Sequence, residues 1–239
     1  MPDSTFEWAA SAAQGAARPV WQLATRDLNR KSTGVLVTFD ACRILPRGTV
    51  DGPNKKLVPS HRLDGTLRPT VAPDGTLHPR FTALKQWIVN LDYARAKQRA
   101  DRGADAPAWD TLRQGLDTLL APFKFAGVDD RFDVLFETPT GTVSIDEFSD
   151  GLRSLFVIVA ELMMRLSLCT DDPARVLEQE ACCLIDEIDA HLHPRWQQTV
   201  LPGPTQLFPN VQFIVTTHSP LVVAPVWPHQ VFRLDPEWT

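Results

Sequence analysis

The fold of this chain is decided by residues 181–194, which read ACCLIDEIDAHLHP. The first five residues are all apolar, a pattern typical of a central parallel strand covered on both faces. Two acids, Asp186 and Glu187, follow directly. Because open α/β sheets bind ligands at the carboxyl ends of their strands, the sequence predicts a functional site here. Taken alone, the pattern is more often just the polar end of a buried strand.

A second strand is predicted at residues 211–216, which read VQFIVT and lead into Thr217, His218 and Ser219. If the two strands are neighbours, the imidazole of His218 and the two carboxylates meet at one edge of the sheet. Phosphoryl transfer requires a magnesium anchor, a group that activates water and donors for the transferred phosphate. Asp186 suits the anchor and Glu187 the general base. A lone histidine at a strand end is more often structural, but this combination favours function.

A long helix is predicted to begin within residues 148–154, which read FSDGLRS, and to run to about residue 168. Either Ser149 or Asp150 can serve as its N-cap, and Ser144 with Glu147 could form a capping box instead. A serine hydroxyl, a glycine and the positive end of a helix make a surface suited to phosphate. An ordinary N-cap beside a loop glycine has the same sequence. The expected buried stripe consists of Leu152, Leu155, Phe156, Val159, Leu162, Met163 and Leu166.

The first part of the chain is less regular. The apolar run at residues 35–39 predicts a strand, whereas the Pro- and Gly-rich residues 46–79 predict an irregular excursion. An amphipathic helix is expected at 80–98, with Lys85, Gln86 and Asn90 away from its apolar face, and a second helix at 109–120, stopped by Pro122. We interpret the pair as a helical hairpin inserted beside the core. Alternation at Phe132, Val134 and Phe136 predicts a strand, with a further short strand at Val143.

These elements suggest three parts. Residues 1–18 form a poorly ordered N-terminus, and residues 19–145 form a middle region that holds the irregular loop (46–79) and the helical hairpin (80–122). Residues 146–239 form the core with the two informative strands. The length of 239 residues and the hydrophobic content of 44% suffice for one core, or for one core and a small subdomain.

Composition restricts the partners. With 24 basic and 29 acidic residues, the net charge is −5, so nucleic acid binding has no support from charge. The four cysteines show no zinc-type spacing, and no signal peptide is evident, which favours a reducing cytoplasm. The apolar stretches are shorter than the ~20 residues of a membrane-spanning helix, so we expect no membrane segment.

Together, residues 145–225 resemble the ABC ATPases, specifically the RecF/SMC-like soluble branch of DNA repair and phage defence. The resemblance implies an α/β fold of the P-loop NTPase type, with a central, mostly parallel sheet and a helical insertion. It implies ATP and Mg²⁺ as cofactors. It also implies roles for individual residues. Four are expected to bind the nucleotide: Ser149, Asp150 and Gly151 in the signature loop, and Asp189 in the D-loop that crosses the dimer interface. Asp186 is expected to be the Walker B acid that binds metal, Glu187 the catalytic glutamate, and His218 the switch histidine.

Two features depart from the family pattern. Asp150 stands where transporter signatures have glycine. No G-x-x-x-x-G-K-[ST] sequence occurs, so the backbone cradle and lysine that bind β- and γ-phosphates are missing from these residues. We therefore expect the chain alone to bind ATP weakly. The missing loop suggests a truncated reading frame, a split gene or a fragment that works with an N-terminal partner.

The leading hypothesis is an ATPase module whose signature loop acts in trans, either in a homodimer or with a P-loop-bearing ATPase partner, and which signals to an associated effector protein. A non-catalytic remnant that regulates a full ATPase is the main alternative. A third is a metal-dependent nuclease, in which His191 and His193 join Asp186 and Asp189 as ligands.

Overall fold

The computed structural model describes residues 35–43, 45–59, 81–102 and 107–234. The expectation for residues 1–18 and the larger part of that for the irregular loop lie outside these ranges. All the described residues belong to one compact unit, Thr33–Thr239. No helix among them has both the length and the apolar character that crossing a bilayer requires.

The strand that precedes the two acids is the middle strand of a parallel sheet. The strands β1 (Val35–Phe39), β5 (Ala181–Ile185) and β6 (Val211–Val215) lie in the order β1-β5-β6. All pairs are parallel and in step, so that Phe39, Ile185 and Val215 end at one level. This arrangement confirms the expected α/β fold with a central parallel sheet. Apolar residues of β1 and β5 are buried, as a sheet covered by other elements requires.

A second, antiparallel sheet consists of β2 (Lys124–Val128), β3 (Val134–Thr138) and β4 (Gly141–Ser144). Strand β2 is absent from the sequence expectations. The inclusion of Phe132 in β3 was wrong: Phe132 lies before the strand with φ +63°, inside a turn. The carboxylate of Asp129 holds this turn by accepting from the amides of Arg131 and Asp133. The two expected helices are present as α1 (Thr82–Arg102) and α2 (Pro107–Leu119).

Helix α1 is buried on more than its apolar face, contrary to the sequence expectation. Lys85 and Gln86 are only 3% and 2% exposed. The ammonium of Lys85 pairs with Asp146 at 2.6 Å and donates to the carbonyl of Gly48, and the amide of Gln86 donates to the carbonyl of Gly52. The loop that contains the two glycines therefore lies over the polar side of the helix. A periodicity argument treats that side as solvent-facing because it cannot detect such a loop.

Helix α3 (Asp150–Ser167) runs through the middle of the molecule and is buried on nearly every side from Arg153 to Leu166, rather than along a single stripe. Both capping alternatives occur in the structure. Ser149 caps α3, whereas Ser144 and Glu147 form a capping box around a 3₁₀ turn, Ile145–Glu147. The remaining elements are α4 (Pro194–Gln197), α5 (Pro202–Leu207), α6 (Pro220–Val223) and 3₁₀ turns at Lys55–Leu57, Pro173–Glu178 and Pro228–Gln230.

Aromatic rings join the antiparallel sheet to α3. The ring of Phe136 on β3 lies 5.6 Å from Phe125, 5.0 Å from Phe148 and 6.1 Å from Phe156, with tilted or edge-on geometries. Such contacts add to the stabilisation that area burial provides. The antiparallel sheet thus anchors the start of α3, while β1 from the middle region lies in the same sheet as β5. The three-part division of the chain stays a prediction.

Lys85→Met should lower the free energy of unfolding by about 2–3 kcal/mol, somewhat below the ~3–5 kcal/mol of a fully buried pair, because it leaves Asp146 without its cation. Arg175→Met is the matched control. Arg175 and Glu178 form an exposed pair at 3.6 Å, so this change should cost less than about 1 kcal/mol. Urea denaturation of both variants measures the difference, and equal losses would contradict the structural role of Lys85.

Candidate functional site

The two acids lie where β5 emerges between its neighbours. The amide of Asp186 donates to the carbonyl of Phe39 at the end of β1, at 2.8 Å. On the other side, the amide of Thr216 donates to Ile185 and the amide of Ile188 to Thr216, each at 3.0 Å. Main-chain hydrogen bonds thus continue past the strands and hold Asp186 and Glu187, which we call the acidic step, to both β1 and β6. Both acidic residues are exposed.

Thr216 connects the two acids through its side chain. Its hydroxyl donates to Oδ1 of Asp186 at 2.5 Å and accepts from the amide of Glu187 at 2.8 Å. The next residue, Thr217, donates its hydroxyl to the carboxylate of Asp189. Two successive threonines of the second strand end therefore bind the first strand end, and each orients one aspartate.

The backbone of Glu187 is in the left-handed region, with φ +45°. This conformation is uncommon for a residue other than glycine and persists only where its surroundings hold it. The carbonyl of Glu187 accepts from the amide of Ala190 at 2.8 Å, and Leu192 donates to Asp189 at 3.0 Å, so tight turns follow. His191 also has positive φ, +62°. The segment 188–193 is consequently folded closely against the sheet rather than extended.

Arg43 lies beneath this segment and is only 4% exposed. Its guanidinium donates to the carbonyls of Asp40, Asp186 and Glu187 at 2.8, 2.6 and 3.0 Å, and to the hydroxyl of Ser154 at 2.7 Å. Burial lowers the pKa of Arg43 from its usual value, and the nearby carboxylates act in the opposite direction. An arginine is nevertheless charged at any physiological pH. A positive charge therefore lies within hydrogen-bonding distance of the main chain of Asp186 and Glu187.

The start of α3 lies against segment 188–193. Ser149 is exposed, and its hydroxyl accepts from the amide of Leu152 at 3.4 Å. Gly151 is buried, and a β-carbon there would overlap the carbonyl of His191, coming within 2.9 Å of its carbon and 3.1 Å of Cα of Leu192. This glycine is thus required for close approach to another part of the same chain. The carboxyl of Asp150 is 74% exposed and forms a 3.3 Å ion pair with Arg153.

His218 lies three residues after the end of β6 and is exposed. The next residue, Ser219, caps α6 and donates its hydroxyl to Oε1 of Gln197 on α4 at 2.7 Å. The chain around His218 is thus fixed on one side by Thr217 and on the other by Ser219. The structure brings His218, Asp186 and Glu187 to adjacent strand ends, whereas Ser149 and Gly151 lie at the start of α3, where Gly151 contacts the backbone of His191.

The two histidines of the HxH sequence have separate surroundings. His191 contacts Gly151 through its backbone, and Nδ1 of His193 accepts from the amide of Arg195 as the cap of α4. Within the described part of the chain, no group of three or more histidine, cysteine or acidic residues is arranged to hold a metal ion. The geometry gives no support to the alternative in which these histidines form a metal site.

Comparison with known proteins assigns the family. A profile described as "AAA domain, putative AbiEii toxin, Type IV TA system" matches residues 71–224. The chain belongs to this AAA domain family. Together with the relatives named below, its membership confirms the resemblance to ATPases of the RecF/SMC-like branch. Nucleotide, typically with Mg²⁺, is the ligand class of such ATPases.

The similar proteins include two that are named probable ATPases. The chain is 39% identical over 90 residues to the Retron Ec83 probable ATPase of Escherichia coli, and 42% identical over 89 residues to the Retron Vc95 probable ATPase of Vibrio cholerae serotype O1 biovar El Tor. It is 34% identical over 103 residues to the Septu protein PtuA of Bacillus thuringiensis. These matches cover 38%, 37% and 42% of this chain, but only 17%, 17% and 26% of the relatives.

Among solved structures, an SMC head bound to the C-winged helix domain of ScpA matches with a TM-score of 0.35 and 20% identity. The match covers 65% of this chain and 51% of that one.

Sequence reasoning missed the residues that hold the acidic step. The two threonines stand next to His218, so hydroxyls following an apolar strand were an available signal. Arg43 offers none, because it precedes Asp186 by a long insertion and no spacing rule connects the two. The expected roles of Ser149, Asp150, Gly151, Asp186, Glu187, Asp189 and His218 stay predictions, although the positions of these residues in the fold are now defined.

Gly151→Ala should destabilise the protein by about 1–3 kcal/mol, because the new methyl group overlaps backbone that cannot move independently. Intrinsic helix propensity acts the other way, by roughly 1 kcal/mol. Thermal unfolding measures the net sign, and amide exchange of segment 188–193 should increase.

Gly203→Ala is the matched control, since both glycines occupy the second position of a helix. A methyl group at residue 203 meets only a terminal carbon of the Leu119 side chain, at 2.5 Å. That side chain can rotate, so the cost should be smaller. A Gly151 variant as stable as the Gly203 variant would contradict the close packing of α3 on segment 188–193.

Proposed function

We propose that this chain is an ATP-hydrolysing module in which Asp186 binds Mg²⁺ and Glu187 is the general base. The observation that carries this proposal is the shared edge of β5 and β6, where Thr216 bonds to both acidic residues and His218 follows two positions later. Three groups with the chemistry of phosphoryl transfer thus occupy hydrogen-bonded strand ends. Family membership adds independent support.

The residues fit the cofactors. Mg²⁺ prefers oxygen ligands and is usually held by one or two carboxylates, waters and substrate phosphates. Asp186 is exposed, and the hydrogen bond from the Thr216 hydroxyl to its Oδ1 orients the carboxylate without enclosing it. Glu187 is exposed beside it. When bound, Mg²⁺ neutralises the charge that develops on the phosphate oxygens.

The remaining roles follow from position. Glu187 would accept a proton from the attacking water, and its backbone hydrogen bonds fix the point from which the side chain extends. His218 would donate a hydrogen bond to a phosphate oxygen from the next strand end. Asp189, whose carboxylate accepts from Thr217, would maintain the distance between the D-loop and β6 rather than contact nucleotide through that oxygen.

The signature segment is suited to act in trans. Ser149 and Asp150 are exposed, as are His191 and His193, and the contact between Gly151 and His191 makes these residues one continuous surface. The positive end of α3 would then face a nucleotide held by a second subunit, in a head-to-tail dimer with another copy or a P-loop-bearing partner.

The phosphate-binding loop would join the sheet at β6. In the described part of the chain, β5 is the only strand paired with β6. Ile214 on β6 is 51% exposed, an unusual state for a large apolar side chain in a parallel sheet. A parallel strand added there would end beside His218. Because relatives are named as retron and Septu proteins, we further propose that the module signals to a defence effector.

Hydrolysis should appear when the chain is supplied with a P-loop, either in an N-terminally extended form or in a mixture with a P-loop-bearing ATPase encoded beside it. Glu187→Gln should then lower kcat by about 10²–10⁴-fold, because the amide cannot accept the proton. Phosphate release from ATP is the measurement.

The control is Glu180→Gln, at the opposite end of β5, which should hydrolyse ATP at the wild-type rate. Equal rates for wild type and Glu187→Gln would refute the assignment of the base. Absence of hydrolysis with every P-loop source would indicate a regulatory module instead.

Asp186→Asn should raise the Mg²⁺ concentration that gives half-maximal hydrolysis by on the order of 10-fold, because one negative ligand is lost while the side-chain shape is kept. Titration of Mg²⁺ at saturating ATP measures this shift. Asp130→Asn, in the exposed turn before β3, should leave the Mg²⁺ requirement unchanged. An unchanged requirement in Asp186→Asn would remove Asp186 from the metal site.

A further inference from the structure

Arg43 is a buried cation, and three of its four hydrogen bonds go to main-chain carbonyls at the carboxyl ends of β1 and β5. Four of its five N–H groups have acceptors in the structure, and three of these acceptors are main-chain carbonyls. Two of the carbonyls belong to Asp186 and Glu187. The guanidinium thus binds the main chain of Asp186 and Glu187, while the side chains of both residues remain exposed to solvent.

The contacts of Arg43 explain how the unusual backbone of Glu187 is maintained. A left-handed residue costs on the order of 1–3 kcal/mol and needs surroundings that hold it. The carbonyl of Glu187 accepts a hydrogen bond from Nη2 of Arg43, and its amide donates one to the hydroxyl of Thr216. With both its carbonyl and its amide held, the direction of the Cα–Cβ bond of Glu187 is fixed.

Arg43 also reaches the helix that carries the signature segment. Its Nε donates to Ser154, which is 5% exposed and lies on α3 shortly after Ser149 and Gly151. A single planar group thus contacts the end of β1, the end of β5 and the start of α3. A displacement of α3 would therefore shift the guanidinium of Arg43. The shifted guanidinium would in turn move the carbonyls of Asp186 and Glu187, to which it is hydrogen-bonded.

We propose that Arg43 is a positioning residue that fixes the backbone of Asp186 and Glu187 and couples it to the signature helix α3. The proposal rests on the function assigned to those acids above. Lysine cannot replace arginine here, since one ammonium cannot satisfy acceptors on three elements in the geometry of a planar fork.

Amide hydrogen exchange of the chain by itself tests the positioning role without requiring activity. In Arg43→Lys, exchange over residues 186–191 should increase about 10-fold or more, the kinetic equivalent of losing one or two hydrogen bonds. Residues 155–166 and 181–185 should keep their wild-type protection. A uniform increase over all three segments, or no increase, would overturn the proposal.

Two further variants separate positioning from general stability. Arg165→Lys alters another arginine of low exposure, 1%, which pairs with Glu161 away from the acidic step. It should not increase exchange selectively at 186–191. Ser154→Ala removes only the acceptor on α3 and should reproduce a smaller, selective increase at 186–191. Wild-type exchange in Ser154→Ala would overturn the coupling to α3.

The second measurement is steady-state ATP hydrolysis with a P-loop supplied. Arg43→Lys should lower kcat by up to about 10²-fold with little change in KM for ATP, since small displacements of a reacting group have effects of this size. Unchanged kcat would overturn the proposal while the ATPase assignment stands. If the wild-type chain does not hydrolyse ATP, the proposed function fails, and the selective exchange result alone decides the role of Arg43.

Discussion

The parallel pairing of β5 with β1 on one side and β6 on the other is the constraint on which the rest of the structure depends. Because the three strands are in step, their carboxyl ends reach one level, and main-chain hydrogen bonds continue beyond them through Asp186 and Thr216. The residues after the strands are therefore held as closely as the strands themselves. A shift of one residue in this register would exchange buried and exposed side chains along a whole strand and separate the acids from His218.

Hydrogen bonds to neutral acceptors allow a charged residue to lie under this edge. A buried guanidinium is expensive unless its donors are satisfied. Arg43 meets that requirement with backbone carbonyls and a hydroxyl, so the carboxylates above it are not consumed in an ion pair. The same arrangement keeps a positive charge near two acidic residues. The site thus combines rigid backbone with side chains that stay available to ligands.

Helix α3 relates this edge to a second surface. Its length is almost wholly buried, its first turn is anchored by aromatic packing around Phe136 and Phe148, and Gly151 lies directly on the backbone of His191. The exposed cap Ser149 and the segment after the acids are therefore parts of one rigid assembly. For a member of a family of ATPases, this geometry offers a physical route from contacts at the helix start to the acidic step.

Local pattern in the sequence determined the strands at 35–39, 181–185 and 211–215, the hairpin helices and the position of the acids, because each depends on periodicity or on an uninterrupted apolar run. Strand β2 escaped notice because Phe125 is its only large buried side chain and Gly127 interrupts it. Tertiary structure alone decided the burial of Lys85, the contact of Gly151 with His191 and the hydrogen bonds of Arg43 to the main chain of the acidic step. Each joins residues far apart in the chain, and no spacing rule encodes which distant carbonyl a buried donor will meet once the layers have packed.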